Sequence, residues 1–318
     1  MLLSLGLPGC FSDGVAPPAD GRNGGHGRND HFHHHPHADR PRRRPESLAR
    51  LKRSLQHDLH SQSSERVMAG LIGLHALCAK AADKTRKPEW SPSDIRHSMR
   101  ATERRPHDAL RAFGAKPLRC ADAPALYAIL LDICLRAGLT RVPELFLLPC
   151  PGMNAYALGG RDNACISVTR GLLSGLSRDE IAGIFAHEVA HILHCDSSAM
   201  NWAVAIQREI ADLAMRGVKD LMTRSQDLAR IGPQALLLAA APAMAQLLIS
   251  ALSRARELAA DARAIDLIEH PRALVAALCK LEYFHTGLTP FDAHLRHDPT
   301  MRALHSHPGT WERIAQLA

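Results

Sequence analysis

His187-Glu188-Val189-Ala190-His191 sets two imidazoles four residues apart, with a carboxylate beside the first. On a helix, positions i and i+4 stand one above the other on a single face. Two His side chains at that spacing can hold one tetrahedral Zn²⁺ without bending the backbone. Glu188 is then placed to reach a metal-activated water as general base. A short pattern with three fixed positions also arises by chance. Its setting strengthens it, because two His on an otherwise apolar helix are costly to bury unless they are used.

A zinc site needs a third protein ligand. Residues 253–270 (SRARELAADARAIDLIEH) read as a helix broken at Pro271, with Glu257 and Asp261 one turn apart. Glu257 is the best candidate ligand. Asp261 is spaced to accept a hydrogen bond from a ligand imidazole and fix its tautomer. Spacing alone equally allows two exposed carboxylates paired with Arg254 or Arg263. His194 and Asp196, just after the motif, read as helix-end and supporting residues rather than ligands.

The elements that must position these groups are legible on either side. Ser177, with Glu180 three residues on, is a capping box that starts a helix. Ile181, Ile184, Phe185, Val189 and Ile192 give that helix a broad apolar stripe. Before it, ELFLLP, NAYALGG and ACISVTRGLL read as short strands, with a turn at Arg161-Asp162-Asn163. Residues 124–137 form an amphipathic helix stopped at Gly138. Further upstream, residues 47–113 read as helical. Val67, Leu71, Leu74 and Cys78 share one face with Leu77 beside them, and a second helix begins near Ser93 and ends or kinks at Pro106. The expected class is α+β, mainly α-helical, with a small sheet and an active-site helix.

These motifs together resemble the HtpX-like family of zinc endopeptidases, gluzincins with a His-Glu-x-x-His helix and a Glu ligand on a later helix. The resemblance rests on His187–His191 and on Arg254-Ala-Arg-Glu257-Leu-Ala-Ala-Asp261. Asn154-Ala-Tyr-Ala-Leu-Gly-Gly160, Gly171-Leu-Leu and His307-Pro308 with Arg313-Ile314 and Leu317 match it further. It covers about residues 118–318. It implies a zincin-like domain with one Zn²⁺ held by His187, His191 and Glu257, Glu188 as general base and Asp261 supporting the ligands. Asn154, Ala155, Tyr156 and Ala157 would line the substrate cleft as an edge strand that binds extended peptide by backbone hydrogen bonds. His307 is a candidate for oxyanion stabilisation or for capping the site. Protein or peptide substrates follow, with a role in protein quality control at or near a membrane. The alternative is a non-catalytic metal-binding protein that uses such a fold for interaction, against which the intact Glu188 argues.

The remaining sequence bounds the setting. The net charge is +7, but residues 1–60 carry +3, residues 61–119 carry +6 and residues 120–318 carry −2. Basicity therefore belongs to the first third, where an anionic membrane surface is a candidate partner. Nucleic acid is not an expected one, since no interleaved aromatics or recognised motif accompany the charge. Residues 1–46 hold a Gly-, Pro-, Arg- and His-rich stretch expected to be a disordered tail. Residues 47–117 then form a helical extension, and 118–318 the metallopeptidase domain. Eight Cys with no CxxC pair fit ordinary thiols in a reducing, cytoplasmic compartment. Met1–Cys10 lacks a basic start and is too short in its apolar run for a signal peptide. Ala235–Leu252 is apolar over 18 residues. His191 and Glu257 must meet on one side of any membrane, which requires an even number of crossings between them. Residues 202–222 are amphipathic and 18 residues cannot cross twice, so Ala235–Leu252 is expected to be a buried or surface-dipping helix. Peripheral attachment to the inner face is then preferred to an integral state.

Overall fold

The computed structural model describes residues 48–82, 106–224, 228–296, 305 and 307–317. Long helices and one small mixed sheet make the fold α+β and mainly α-helical. The sheet order is β1 (Lys116–Leu118), β2 (Glu144–Leu148), β4 (Cys165–Thr169), β3 (Ala155–Leu158). β2 and β4 run parallel, while β1 and β3 are antiparallel to their neighbours. Every residue of β4 is buried, because the strand pairs with β2 and β3 on its two edges and meets a core cluster on each face. β3 and β4 form a hairpin. Its turn needs a glycine: Gly159 has φ +87°, and a Cβ there would lie 2.7 Å from Asn163 O. β3 ends the strand order, so among the described residues one edge of its backbone has no strand partner.

The stretch expected to stay extended through Leu173 turns helical at Arg170. Thr169 Oγ1 accepts from Leu172 N at 3.3 Å and caps α4 (Arg170–Gly175). Helix α3 (Pro124–Ala137) ends at Gly138. Its Tyr127 hydroxyl donates to Leu118 O at 2.9 Å and accepts from Leu145 N at 3.2 Å, which fixes the helix to β1 and β2. Helix α5 (Arg178–Leu193) carries the His-Glu-x-x-His motif. Ser177 Oγ accepts from Glu180 N at 3.4 Å and Glu180 Oε2 accepts from Ser177 N at 2.7 Å, closing the capping box. α5 is buried nearly all round, between α3, β3, α7 (Leu228–Leu267) and α8 (Pro271–Thr286). Its core cluster includes Phe185, Val189, Ile166, Leu172 and Leu274.

A second core cluster joins α1 (Leu48–Ala82), α6 (Asp196–Arg224) and α7. Leu71, Leu74 and Cys78 of α1 meet Ile206 and Ile210 of α6 and Leu238, Ala245 and Leu252 of α7. Leu77 faces outward. The helix expected to begin near Ser253 is the C-terminal part of α7, which runs 40 residues and passes through Pro233 and Pro242. Packing against α1 and α6 offsets the roughly 3 kcal/mol that an interior proline costs a helix. Ala235–Leu252 is buried only on one side: Leu238, Ala241 and Ala245 face the bundle, whereas Leu236, Met244 and Leu247 are exposed. Among the described residues, Gly232–Leu267 is one stretch long and apolar enough to cross a membrane.

Pro106 opens α2 (Pro106–Ala112), in the first turn where its missing N–H is not needed. The helix expected from Ser93 and the tail 1–46 lie outside the described residues. β1 crosses the boundary expected at 117/118, and α1 shares a core with α6 and α7. Two short helices, α9 (Pro290–Arg296) and α10 (Thr310–Leu317), complete the described chain.

The tightest approach in the scaffold is at Gly171. A Cβ there would fall 1.9 Å from Pro151 O, a backbone atom that cannot rotate away. Gly171→Ala should therefore lower stability by roughly 1–3 kcal/mol. Urea unfolding followed by circular dichroism would show it, and an unchanged midpoint would contradict the packing described.

Candidate metal centre

α5 and the C-terminal part of α7 meet at the site, and each presents polar side chains there. His187, Glu188 and His191 from α5 and Glu257 and Asp261 from α7 are all buried. The reading of Glu257 and Asp261 as exposed carboxylates thus fails on burial. His187 Nε2 and His191 Nε2 lie 3.0 Å apart. His187 Nε2 is 3.4 Å from Glu257 Oε2, and His191 Nε2 is 3.7 Å from Glu257 Oε1. One ligand atom from each of the three lies within 4.8 Å of the others. A tetrahedral ion with bonds near 2.0–2.1 Å has ligand–ligand edges of about 3.3 Å. The donor set, two imidazole nitrogens and a carboxylate oxygen, also suits zinc.

The far nitrogen of each imidazole is engaged. His187 Nδ1 is 2.9 Å from Asp261 Oδ1, and His191 Nδ1 is 2.6 Å from Asp196 Oδ2. With Nδ1 bound to a carboxylate, Nε2 of each ring is the free ligand atom. The carboxylates are themselves braced. Arg313 of α10 donates from Nε to Asp261 Oδ2 and from Nη2 to Asp261 Oδ1, each at 2.7 Å. Arg256 contacts the other oxygen of Asp196 and donates to His194 O at 2.7 Å. His194 caps the end of α5, and Asp196 opens α6 right after it. The braces by Arg256 and Arg313 were not assigned from sequence. Arg313 sits 52 positions from Asp261, and no local pattern links them.

Electrostatics follow from this packing. Burial alone would lower the His187 pKa, but the Asp261 charge and the hydrogen bonds that the ring donates to Asp261 and Glu257 raise it to about 9. Burial lowers His191, and the charge on His187 lowers it further. Burial opposes ionisation of Glu257, yet hydrogen bonds from His187 and His307 hold it well below the usual carboxylate range. Asp261 goes down to about 2: burial opposes this, and the Arg313 charge and hydrogen bonds outweigh it.

The site opens into a cleft of about 950 Å³. Met153 to Leu158 form one wall, so Asn154, Ala155, Tyr156 and Ala157 all line it. Thr169 N donates to Asn154 O at 3.0 Å. In an antiparallel ladder the alternate residues, Ala155 and Ala157, then turn their backbone groups to the unpaired edge. Ser197 Oγ donates to Ala157 O at 3.4 Å on that side, and Asn154 Oδ1 accepts from Ala155 N at 2.9 Å. Burial raises the Tyr156 pKa and the Glu188 charge raises it further, so the phenol stays protonated. His307 Nδ1 is 3.4 Å from Glu257 Oε1 at the cleft.

The chain is similar to known proteins. Residues 122–318 match the model of Peptidase family M48. The chain is 31% identical over 226 residues to the protease HtpX homologue of Nostoc punctiforme, covering 66% of this chain and 78% of that one. It is 36% identical over 228 residues to the protease HtpX homologue of Acaryochloris marina, covering 66% and 76%. The fold is similar to the crystal structure of Ste24p from S. mikatae, with TM-score 0.50 and 19% identity over 84% of this chain and 66% of that one.

A proton on His187 would compete with a metal ion for the ring. While protonated it cannot ligate, so apparent metal affinity should be weakest in acid and climb as pH rises towards about 9. Between pH 6 and 8 zinc affinity should rise about tenfold per pH unit, with about one proton released per ion bound. Calorimetry in buffers of different ionisation enthalpy reads both, and a flat profile would contradict the protonated His187.

Proposed function

The chain belongs to peptidase family M48 and is a metallopeptidase acting on proteins or peptides, and from that premise we propose a zinc-dependent endopeptidase with Glu188 as its general base. The carrying observation is the convergence of two braced imidazoles and one carboxylate, with Glu188 lining the same cleft. His187, His191 and Glu257 would hold the ion. Bound there, zinc supplies Lewis acidity, which activates water and polarises a peptide carbonyl.

The protein groups do the rest. Glu188 accepts the proton of the attacking water and passes it to the leaving amine. Asp261 and Asp196 hold the two imidazoles in the tautomer that leaves Nε2 free. The unpaired edge at Ala155 and Ala157 takes an extended peptide as an added strand, and Asn154 and Tyr156 shape the cleft around it. The protonated Tyr156 phenol is a donor there. His307 supplies a donor towards the developing oxyanion. Residues 118–318 form the catalytic unit, 47–117 a helical extension and 1–46 a tail. The enzyme attaches to the cytoplasmic face of a membrane and acts in protein quality control. Support for attachment comes from the outward-facing Leu236, Met244 and Leu247 of α7 and from the basic first third.

Glu188→Gln should retain one zinc per chain and lose roughly 10²–10⁴ in the rate of casein hydrolysis. His307→Ala should lose roughly 10² in kcat. Metal analysis with single-turnover rates separates the two. Full activity in Glu188→Gln would end the general-base role, and an unchanged kcat in His307→Ala would end the oxyanion role. For attachment, the protein should float with anionic liposomes in low salt. Loss of flotation in high salt assigns the contact to the basic segment, persistence assigns it to α7, and no flotation in either rejects it.

A further inference from the structure

Aromatic residues are scarce in this chain: 3 Trp, 3 Tyr and 7 Phe in 318 residues. Two of them nonetheless stand side by side at the end of α8, Tyr283 65% and Phe284 50% exposed. Large exposed apolar groups at one spot mark a contact surface more often than chance. Here they line a groove of about 700 Å³ with Met153, Gly175, Cys279 and Pro290. The groove adjoins the catalytic cleft, because Met153 and Pro290 line both.

The partition between groove and cleft is built rather than incidental. His285 Nε2 lies 3.0 Å from Met153 O, tying α8 to the segment that leads into β3. Gly175 leaves room for the Met153 side chain: a Cβ on Gly175 would meet Met153 Cε at 2.8 Å. Lys280, the charged residue at the groove, has its ammonium 2.8 Å from Glu180 Oε2. What faces an occupant is therefore apolar.

The occupant follows from β3. A peptide added along its edge at about 3.3 Å per residue continues past Asn154 to Met153, the shared wall. We propose that the groove receives a large apolar side chain of the polypeptide substrate, so that the enzyme selects extended segments carrying Phe, Leu or Met near the scissile bond. Such segments are exposed in unfolded proteins and buried in folded ones. This inference rests on the reading of the β3 edge as the peptide-binding strand. The residue that fills the groove lies about three to four positions from the one opposite Ala157.

Quenched-fluorescence peptides that place Phe, Leu, Ser or Asp at each of four positions on either side of the cleaved bond test this with the full-length, zinc-loaded protein. One position should show kcat/KM about tenfold higher for Phe than for Ser. In Tyr283→Ser/Phe284→Ser that ratio should fall to about twofold, and an indole at Thr289, which also lines the groove, should fill it and lower the ratio likewise (Thr289→Trp). The ratio is internal to each variant, so a partly unfolded preparation does not mimic the result. Equal rates for Phe and Ser at every position, or a ratio that survives both variants, would overturn the proposal. Failure of the peptidase reading itself is a different result: no peptide is cleaved in a Glu188-dependent way, and the groove proposal falls with it.

Discussion

Charged groups taken out of water must be paired, and the crossing of α5 and α7 is organised by that requirement. Two imidazoles, the carboxylates of Glu188, Asp196, Glu257 and Asp261 and the Arg313 guanidinium share one buried volume. An isolated buried charge costs several kcal/mol. Here Asp261 lies between His187 and Arg313, and Asp196 lies between His191 and Arg256. The same contacts orient the rings, so electrostatic satisfaction and ligand geometry have one cause. Removing any member leaves its neighbour unpaired, which makes the cluster rigid as well as stable.

α7 carries this arrangement into the rest of the fold. Its C-terminal half supplies Glu257 and Asp261, and Ala264 and Ile265 join the core around α5. Its N-terminal half packs in the separate core with α1 and α6. One 40-residue helix therefore belongs to both clusters, and the prolines within it do not divide it. On the opposite side of the cleft, the hairpin turn at Gly159 and the close approach at Gly171 hold β3 against α5. The edge strand, the motif helix and the long helix thus face one cavity from three directions.

Local signals were readable where chemistry is local. The capping box at Ser177 and Glu180 and the stop at Gly138 depend on residues within one turn, and both stand where the sequence placed them. Thr169 shows the limit. Its hydroxyl caps a helix three residues on, which ended the stretch that apolar composition alone extended to Leu173. The continuity of α7 through Pro242 was invisible because its support comes from α1 and α6, distant in sequence.

By itself the sequence determined the composition of the site. His187, Glu188 and His191 sit on one capped apolar helix, Glu257 and Asp261 follow one turn apart on another, and together these mark a metallopeptidase family. Periodicity and capping act over a few residues, so they survive in a linear reading. Only the tertiary structure decided that Glu257 Oε2 comes within 3.4 Å of His187 Nε2, that Arg313 and Arg256 secure the two supporting aspartates, and that Tyr283 and Phe284 open beside the cleft. Those are contacts between residues tens of positions apart. They exist because burying apolar surface brings the helices together, and the polar groups on the meeting faces must then find one another.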